Sequence, residues 1–398
     1  MNKTLLVWRL LMGKKLQNLL VTLIMALGMA LAVTVLLLSE GMHAGMVRAA
    51  QPFPLLMGAK GSANQLVLNS IFLKDQPVGN IEYAELERLR QLPNVEQAIP
   101  LGFGDNYRGL RIIGTEKELF ELKLLGKAQE QWLKLSKGRC FTSEQEAVLG
   151  AEAARLSGLS IGDTFASVHG LVANANSKVH EEKYVVVGIL EPSHGPYDQG
   201  IFVSMQGIWH AHAHGHSEGE HKEITAALIK PTGYAAAMQL AASYSKNHEV
   251  QVVFPSKIVI QLFSILGNVE KVLQLLNFAV LGLALLIIAG SLYWFALCSA
   301  HQQAVMRALG ATAGQVLGIY FRLGMCLVVT GLTLGVALGH GVYFGLSKLL
   351  LKGAGLYLPQ QILPVEGYLL GGLLALGALC SWLPAYWTTK HTEIVEQL

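Results

Sequence analysis

Hydrophobic positions fall into two regimes along this chain, long unbroken runs and short periodic ones, and the long runs decide the fold class. Leu19 to Leu38, Val272 to Cys298, Leu323 to Leu346 and Gly367 to Tyr386 contain no Asp, Glu, Lys or Arg. A helix of about 20 residues crosses the roughly 30 Å of a bilayer's hydrocarbon. In lipid a backbone has only itself to hydrogen-bond, so each run is expected to be a helical span. Between the first and second runs lie about 230 residues of ordinary globular character. There Glu82 to Leu92 has helical spacing and ends at Pro93-Asn94, while Val95 to Ile99 and Arg111 to Ile113 have strand spacing. Lys183 to Leu190 is a β-branched run closed by Glu191-Pro192, the clearest strand in the chain. From Ser256 the pattern turns helical and runs into the second apolar block, with no proline between Pro255 and Pro359.

These elements predict an α-helical membrane protein with four transmembrane helices and a large α+β extracytoplasmic, periplasmic-type domain between the first two. The expected division is a cytoplasmic amphipathic segment over 1–18, spans over 19–40, 269–298, 316–346 and 366–387, and the α+β domain over 41–268. A cytoplasmic loop over 299–315, an outer loop over 347–365 and a tail over 388–398 complete it. The segment before the first run, with Leu5, Leu6, Trp8, Leu10 and Leu11 among Arg9, Lys14 and Lys15, fits an amphipathic helix on the membrane face or a longer first helix equally well.

Composition agrees: 52% of residues are hydrophobic and 14% charged, against about 25% charged in soluble domains. The net charge of +3 says less than its placement. Lys3, Arg9, Lys14 and Lys15 precede the first run without an acidic residue, which puts both termini and the 299–315 loop in the cytoplasm. The first run is longer than a signal-peptide core and no A-x-A site follows it, so it is expected to remain as an anchor. Basic residues gather at membrane edges, where lipid headgroups account for them, and no nucleic-acid partner is implied. Of the four cysteines, Cys140 stands alone in the α+β domain and Cys298, Cys326 and Cys380 lie in or beside spans, so no disulfide framework is expected.

Candidate chemistry is sparse. The turn Gly58-Ala59-Lys60-Gly61-Ser62 lacks the G-x-x-x-x-G-K-[ST] spacing, which occurs nowhere in the chain, so no ATP site is encoded. Cys140, Asp163 and Asp198 have no partners at catalytic spacing, and no enzyme activity is expected. One stretch does offer ligands. His210, His212, His214, His216 and His221, with Glu218 and Glu220 among them, present the nitrogen and oxygen donors that zinc, nickel and copper accept. The alternative is a solvated loop that changes charge near pH 6.5. His340, inside the third run, is read as a neutral imidazole hydrogen-bonded to a neighbouring helix.

Three passages together resemble the MacB/FtsX-like permeases of ABC systems, the family that includes the lipoprotein-releasing subunits. Arg307-Ala308-Leu309-Gly310-Ala311-Thr312 is similar to the family's R-A-[LI]-G-A-[ST] loop. Leu383-Pro384-Ala385 with Val395-Glu396-Gln397-Leu398 is similar to its terminal pattern, although Trp387 stands where the family has a basic residue. Gly138-Arg139-Cys140-Phe141, Ala147-Val148-Leu149-Gly150, Gly162-Asp163-Thr164 and Val186-Val187-Gly188-Ile189-Leu190 follow the order of its outer-domain phrases. The resemblance implies a non-catalytic inner-membrane permease that forms a homodimer or a heterodimer with a related permease. It also implies a separate ABC ATPase subunit, bound through Arg307 to Thr312, and a periplasmic cargo or adaptor protein. The structural alternative for that loop is an interfacial turn with Arg307 on lipid phosphate and Gly310 as a helix cap. The cargo is left open between a lipoprotein, a small amphiphile and a metal-handling partner, and a regulatory subunit that senses a periplasmic ligand or metal is the alternative function.

Overall fold

The computed structural model describes residues 3–13, 15–124, 130–170, 179–212, 222–262, scattered positions from 271 to 294, 300–355, 357–360 and 362–391. Two compact units divide the chain, one of residues 1–41, 267–347 and 360–398, the other of residues 42–266 and 348–359.

The first unit is helical. Lys15–Ala50, Ala313–Leu351 and Pro364–Leu383 are long and apolar enough to cross a membrane. The second predicted span, 269–298, lies largely outside the described residues, and the positions described within it are helical. Along the first span Leu19, Leu23, Leu27 and Leu31 form an exposed stripe at four-residue spacing, as a lipid-facing helix side requires. The opposite side, with Met25, Met29 and Val33, is buried. It meets Gly331, Gly335 and Gly339 of the Ala313–Ala354 helix so closely that a Cβ at Gly335 would fall 2.5 Å from Met29 Cβ and 2.7 Å from the Ala26 carbonyl oxygen. Thr34 Oγ1 donates to the Gly339 carbonyl at 3.2 Å. This small-residue contact is what apolar helices use where lipid removes the hydrophobic drive to associate. The N-terminal segment forms its own helix, Lys3–Gly13, which buries Val7 against Val316, Ile319, Tyr320 and Leu323.

The second unit is the expected α+β domain. Its strands are β1 (Leu55–Ala59), β2 (Ile81–Glu82), β3 (Val95–Tyr107), β4 (Leu110–Thr115), β5 (Leu135–Gly138), β6 (Glu146–Leu149), β7 (Thr164–His169), β8 (Val179–Leu190), β9 (Ile201–Ser204), β10 (Glu223–Ile224), β11 (Ala226–Pro231) and β12 (Val250–Val253). Apart from the short β10–β2 pair, all belong to one sheet in the order β12-β1-β11-β3-β4-β9-β6-β8-β5, with β7 bridging β3 and β8. Because β7 closes the path, β3, β4, β9, β6, β8 and β7 make a ring, parallel only at β4–β9 and β6–β8.

Two cores follow from this layout. Beneath β1 and β11, Leu55, Met57, Ala227 and Ile229 pack with Leu86, Leu89 and Leu240 of the helices Tyr83–Arg90 and Tyr234–Ser243. The ring encloses Ile112, Ala147, Leu149, Phe165, Val186, Ile201 and Val203. β3 serves both, and it is longer than the strand predicted from Val95 to Ile99 because Leu101, Phe103 and Asp105 continue its buried side.

The phrases shared with the permease family are packing devices here. Gly138 and Gly188 face each other across β5 and β8. A Cβ at Gly138 would lie 2.1 Å from the Val187 carbonyl oxygen, and one at Gly188 would lie 2.3 Å from that of Arg139. Two glycines are needed because two backbones touch. Arg139 then grips Glu146 with both guanidinium nitrogens and fastens β5 to β6.

Candidate functional site

At one rim of the ring four side chains converge. Asp105 sits on β3 where its register against β4 slips between Phe103 and Asn106, a bulge that turns the carboxylate inward. His169, the last residue of β7, pairs directly with Asp105. His180, the second residue of β8, follows Val179, which pairs with Val168. His212 ends the helix Met205–His212, which Ser204 starts by accepting the Gly207 N–H at 3.0 Å. The His212 Nε2, His180 Nε2 and His169 Nδ1 atoms lie 3.2, 3.4 and 3.5 Å from Asp105 Oδ1. All four ligand atoms are within 4.8 Å of one another.

Exposure is graded across the group, from 0% for the Asp105 side chain through 15% for His180 and 33% for His212 to 60% for His169. Asp105 Oδ1 and His180 Nε2 are both buried without a hydrogen bond. The surrounding contacts orient the ligands: Ser167 Oγ donates to Asp105 Oδ2 at 3.4 Å, and Gly170 N–H donates to the Gly104 carbonyl at 2.8 Å. Asn106, also buried, donates to the Gly170 carbonyl at 2.6 Å and accepts from Gly109 N–H at 3.1 Å. Burial alone would raise the Asp105 carboxyl, but the contact with His212 and the charges of His212, His180 and His169 outweigh it and hold the group below its usual range. The same contact lifts His212 above an ordinary imidazole.

Of the five histidines expected to bind metal, His212 joins this cluster and His210 does not. His210 lies between Glu144, 3.2 Å from Nδ1, and Glu182, 3.6 Å from Nε2. His214, His216 and His221 lie outside the described residues. Asp105, His169 and His180 escaped the sequence reading because no local spacing joins them; only the β3–β7–β8 pairing does. The lone Cys140 has its thiol pushed up to about 11 by burial. Asp198 is a loop anchor, accepting from Ser193 N–H at 2.7 Å and His194 N–H at 2.9 Å. Asp163 accepts from Ser160 N–H at 2.8 Å. His340 is hydrogen-bonded to a neighbouring helix, its Nε2 lying 2.9 Å from Glu366 Oε2 in the first turn of Pro364–His391.

The loop from Arg307 to Thr312 is a tight reversal between the helices Ala300–Ala308 and Ala313–Ala354. Gly310, at φ +94°, donates to the Arg307 carbonyl at 3.0 Å, and Ala311 donates to that of Met306 at 3.0 Å, the two bonds of a Schellman cap. Thr312 and Gln315 then cap the next helix reciprocally: Gln315 N–H donates to Thr312 Oγ1 and Thr312 N–H to Gln315 Oε1, at 3.3 and 3.2 Å. Gly310 is thus a helix cap, as the structural reading of the loop expected. Between the two caps Leu309 stands 83% exposed. In the terminal pattern, Leu383-Pro384-Ala385 lies within Pro364–His391, and Val395 to Leu398 lie outside the described residues.

Comparison with curated proteins gives no match. Among solved structures, the periplasmic region of MacB from Actinobacillus actinomycetemcomitans aligns at 11% identity and a TM-score of 0.34, over 53% of this chain and 94% of that one. The extracellular domain of the noncanonic ABC-type transporter YknZ from Gram-positive bacteria aligns at 12% identity and a TM-score of 0.29, over 50% and 98%. The family model of the MacB-like periplasmic core domain matches residues 19–244, more than half of the chain, and the chain belongs to that family of ABC-system permeases.

Proposed function

We propose that the chain is the non-catalytic permease subunit of an ABC transporter, working as a dimer with a separate ATPase subunit and acting on cargo or an adaptor at its α+β domain. It resides in the inner membrane with both termini and the 299–315 loop in the cytoplasm. The observation that carries this reading is Leu309, a large apolar side chain held bare at the tip of a doubly capped reversal. Arg307, at the end of the preceding helix, supplies the charge beside it.

The test is co-expression with each ABC ATPase of the parent genome, followed by complex isolation and ATP turnover in nanodiscs. Leu309→Asp is expected to weaken the complex about 10-fold to 100-fold, as loss of an interface anchor does, and Arg307→Glu to weaken it less. Full assembly and unchanged turnover in Leu309→Asp would leave the loop as an interfacial turn. A second reading, a regulatory subunit that senses a periplasmic ligand, is favoured by the Asp105 cluster, which is built like a receptor for a cation.

A further inference from the structure

We propose that Asp105, His169, His180 and His212 form a single four-coordinate site for a divalent transition-metal ion, zinc by preference, distinct from the histidine tract that follows His212. The site stands on its own geometry, whether or not the chain works with an ATPase.

The distances fit a tetrahedral ion shell. Donors held about 2.0–2.1 Å from a tetrahedral zinc lie roughly 3.3–3.4 Å from one another. The three Asp105 to histidine separations, 3.2, 3.4 and 3.5 Å, bracket that edge. A carboxylate oxygen ringed by three imidazole nitrogens, yet without a hydrogen bond, has no other buried partner among the described residues. His180 Nε2, itself buried and without a hydrogen bond, is one of the donors.

Donor chemistry narrows the ion. Three imidazoles and one carboxylate, without thiolate, suit zinc and its first-row neighbours; calcium and magnesium take oxygen shells instead. The exposure gradient separates this site from a structural zinc, because His169 faces solvent while Asp105 closes the floor. An ion can therefore load and leave with the domain folded, as a metal-sensing or metal-handling site requires.

The experiment uses the full-length chain in detergent, stripped by chelator and titrated with zinc against a chromophoric competitor. One zinc per chain is expected, with affinity falling about 100-fold or more in Asp105→Asn or His180→Gln. The triple variant His214→Asn, His216→Asn, His221→Asn should retain it. Loss of tight binding in the triple variant overturns the proposal, as does a stoichiometry of several loosely held ions unaffected by Asp105→Asn. Should the single variants fold poorly, X-ray absorption on the zinc-loaded natural protein decides: three imidazoles and one oxygen uphold the site, and any other shell sinks it. Because no ATPase is present, a negative result here leaves the permease reading standing, and a failed Leu309 test leaves this one standing.

Discussion

Asn106 shows how a residue that touches no ligand can govern a site. Its amide ties the Gly170 carbonyl, just after His169, to the turn at Gly109, and it lies beside Asp105 in sequence. Replacing it with Ala takes the donor from the part-buried Gly170 carbonyl and frees the end of β7, a cost of about 0.5–1.5 kcal/mol. Zinc affinity should fall about 10-fold to 100-fold in Asn106→Ala, as loss of an outer-shell orienter does, and chemical denaturation should show the lost stability alongside. Cys140 makes the opposite point. Burial raises its thiol to about 11, so at pH 8 only about one part in a thousand is thiolate, the reactive form. Alkylation by iodoacetamide in the folded domain should be slow at pH 8 and accelerate about tenfold per pH unit until the chain unfolds. Fast labelling at neutral pH would show that the site is open.

Elements were legible in the sequence in proportion to how local their causes are. The strand at Lys183 to Leu190 and the helix from Glu82 appeared where their patterns placed them, as β8 and Tyr83–Arg90. β3 ran on past its predicted end because its continuation is buried by partners distant in sequence, which a local window cannot see. The Gly331, Gly335 and Gly339 stripe was visible as letters, but its meaning required the helix it packs against. Gly335→Val should force that pair apart and cost about 1–3 kcal/mol, as overpacking does. Thermal unfolding of the detergent-solubilised chain, with Gly341→Val as an open-space control, checks it; equal losses in both would refute the contact.

For the whole molecule, hydropathy sufficed to separate a membrane unit from an α+β domain, because bilayer thickness writes itself directly into run length. The family resemblance was equally readable, although its phrases proved to mark close backbone contacts such as Gly138 against Gly188. The histidine cluster was half hidden: His212 stood in a conspicuous tract, while Asp105, His169 and His180 looked unremarkable until the strand ring closed. Long-range pairing joins residues 105 to 212 in space, and nothing in their spacing reports it.

The double cap around Leu309 has a thermodynamic consequence for any partner that meets it. A disordered loop must be frozen on docking, at about 1–2 kcal/mol of backbone entropy per residue. In this reversal that cost has already been met during folding, by Gly310 on one side and the Thr312–Gln315 exchange on the other. A partner therefore encounters a finished shape. The same hydrogen bonds tie the turn around Leu309 to both helices it joins, Ala300–Ala308 through Gly310 and Ala313–Ala354 through Thr312.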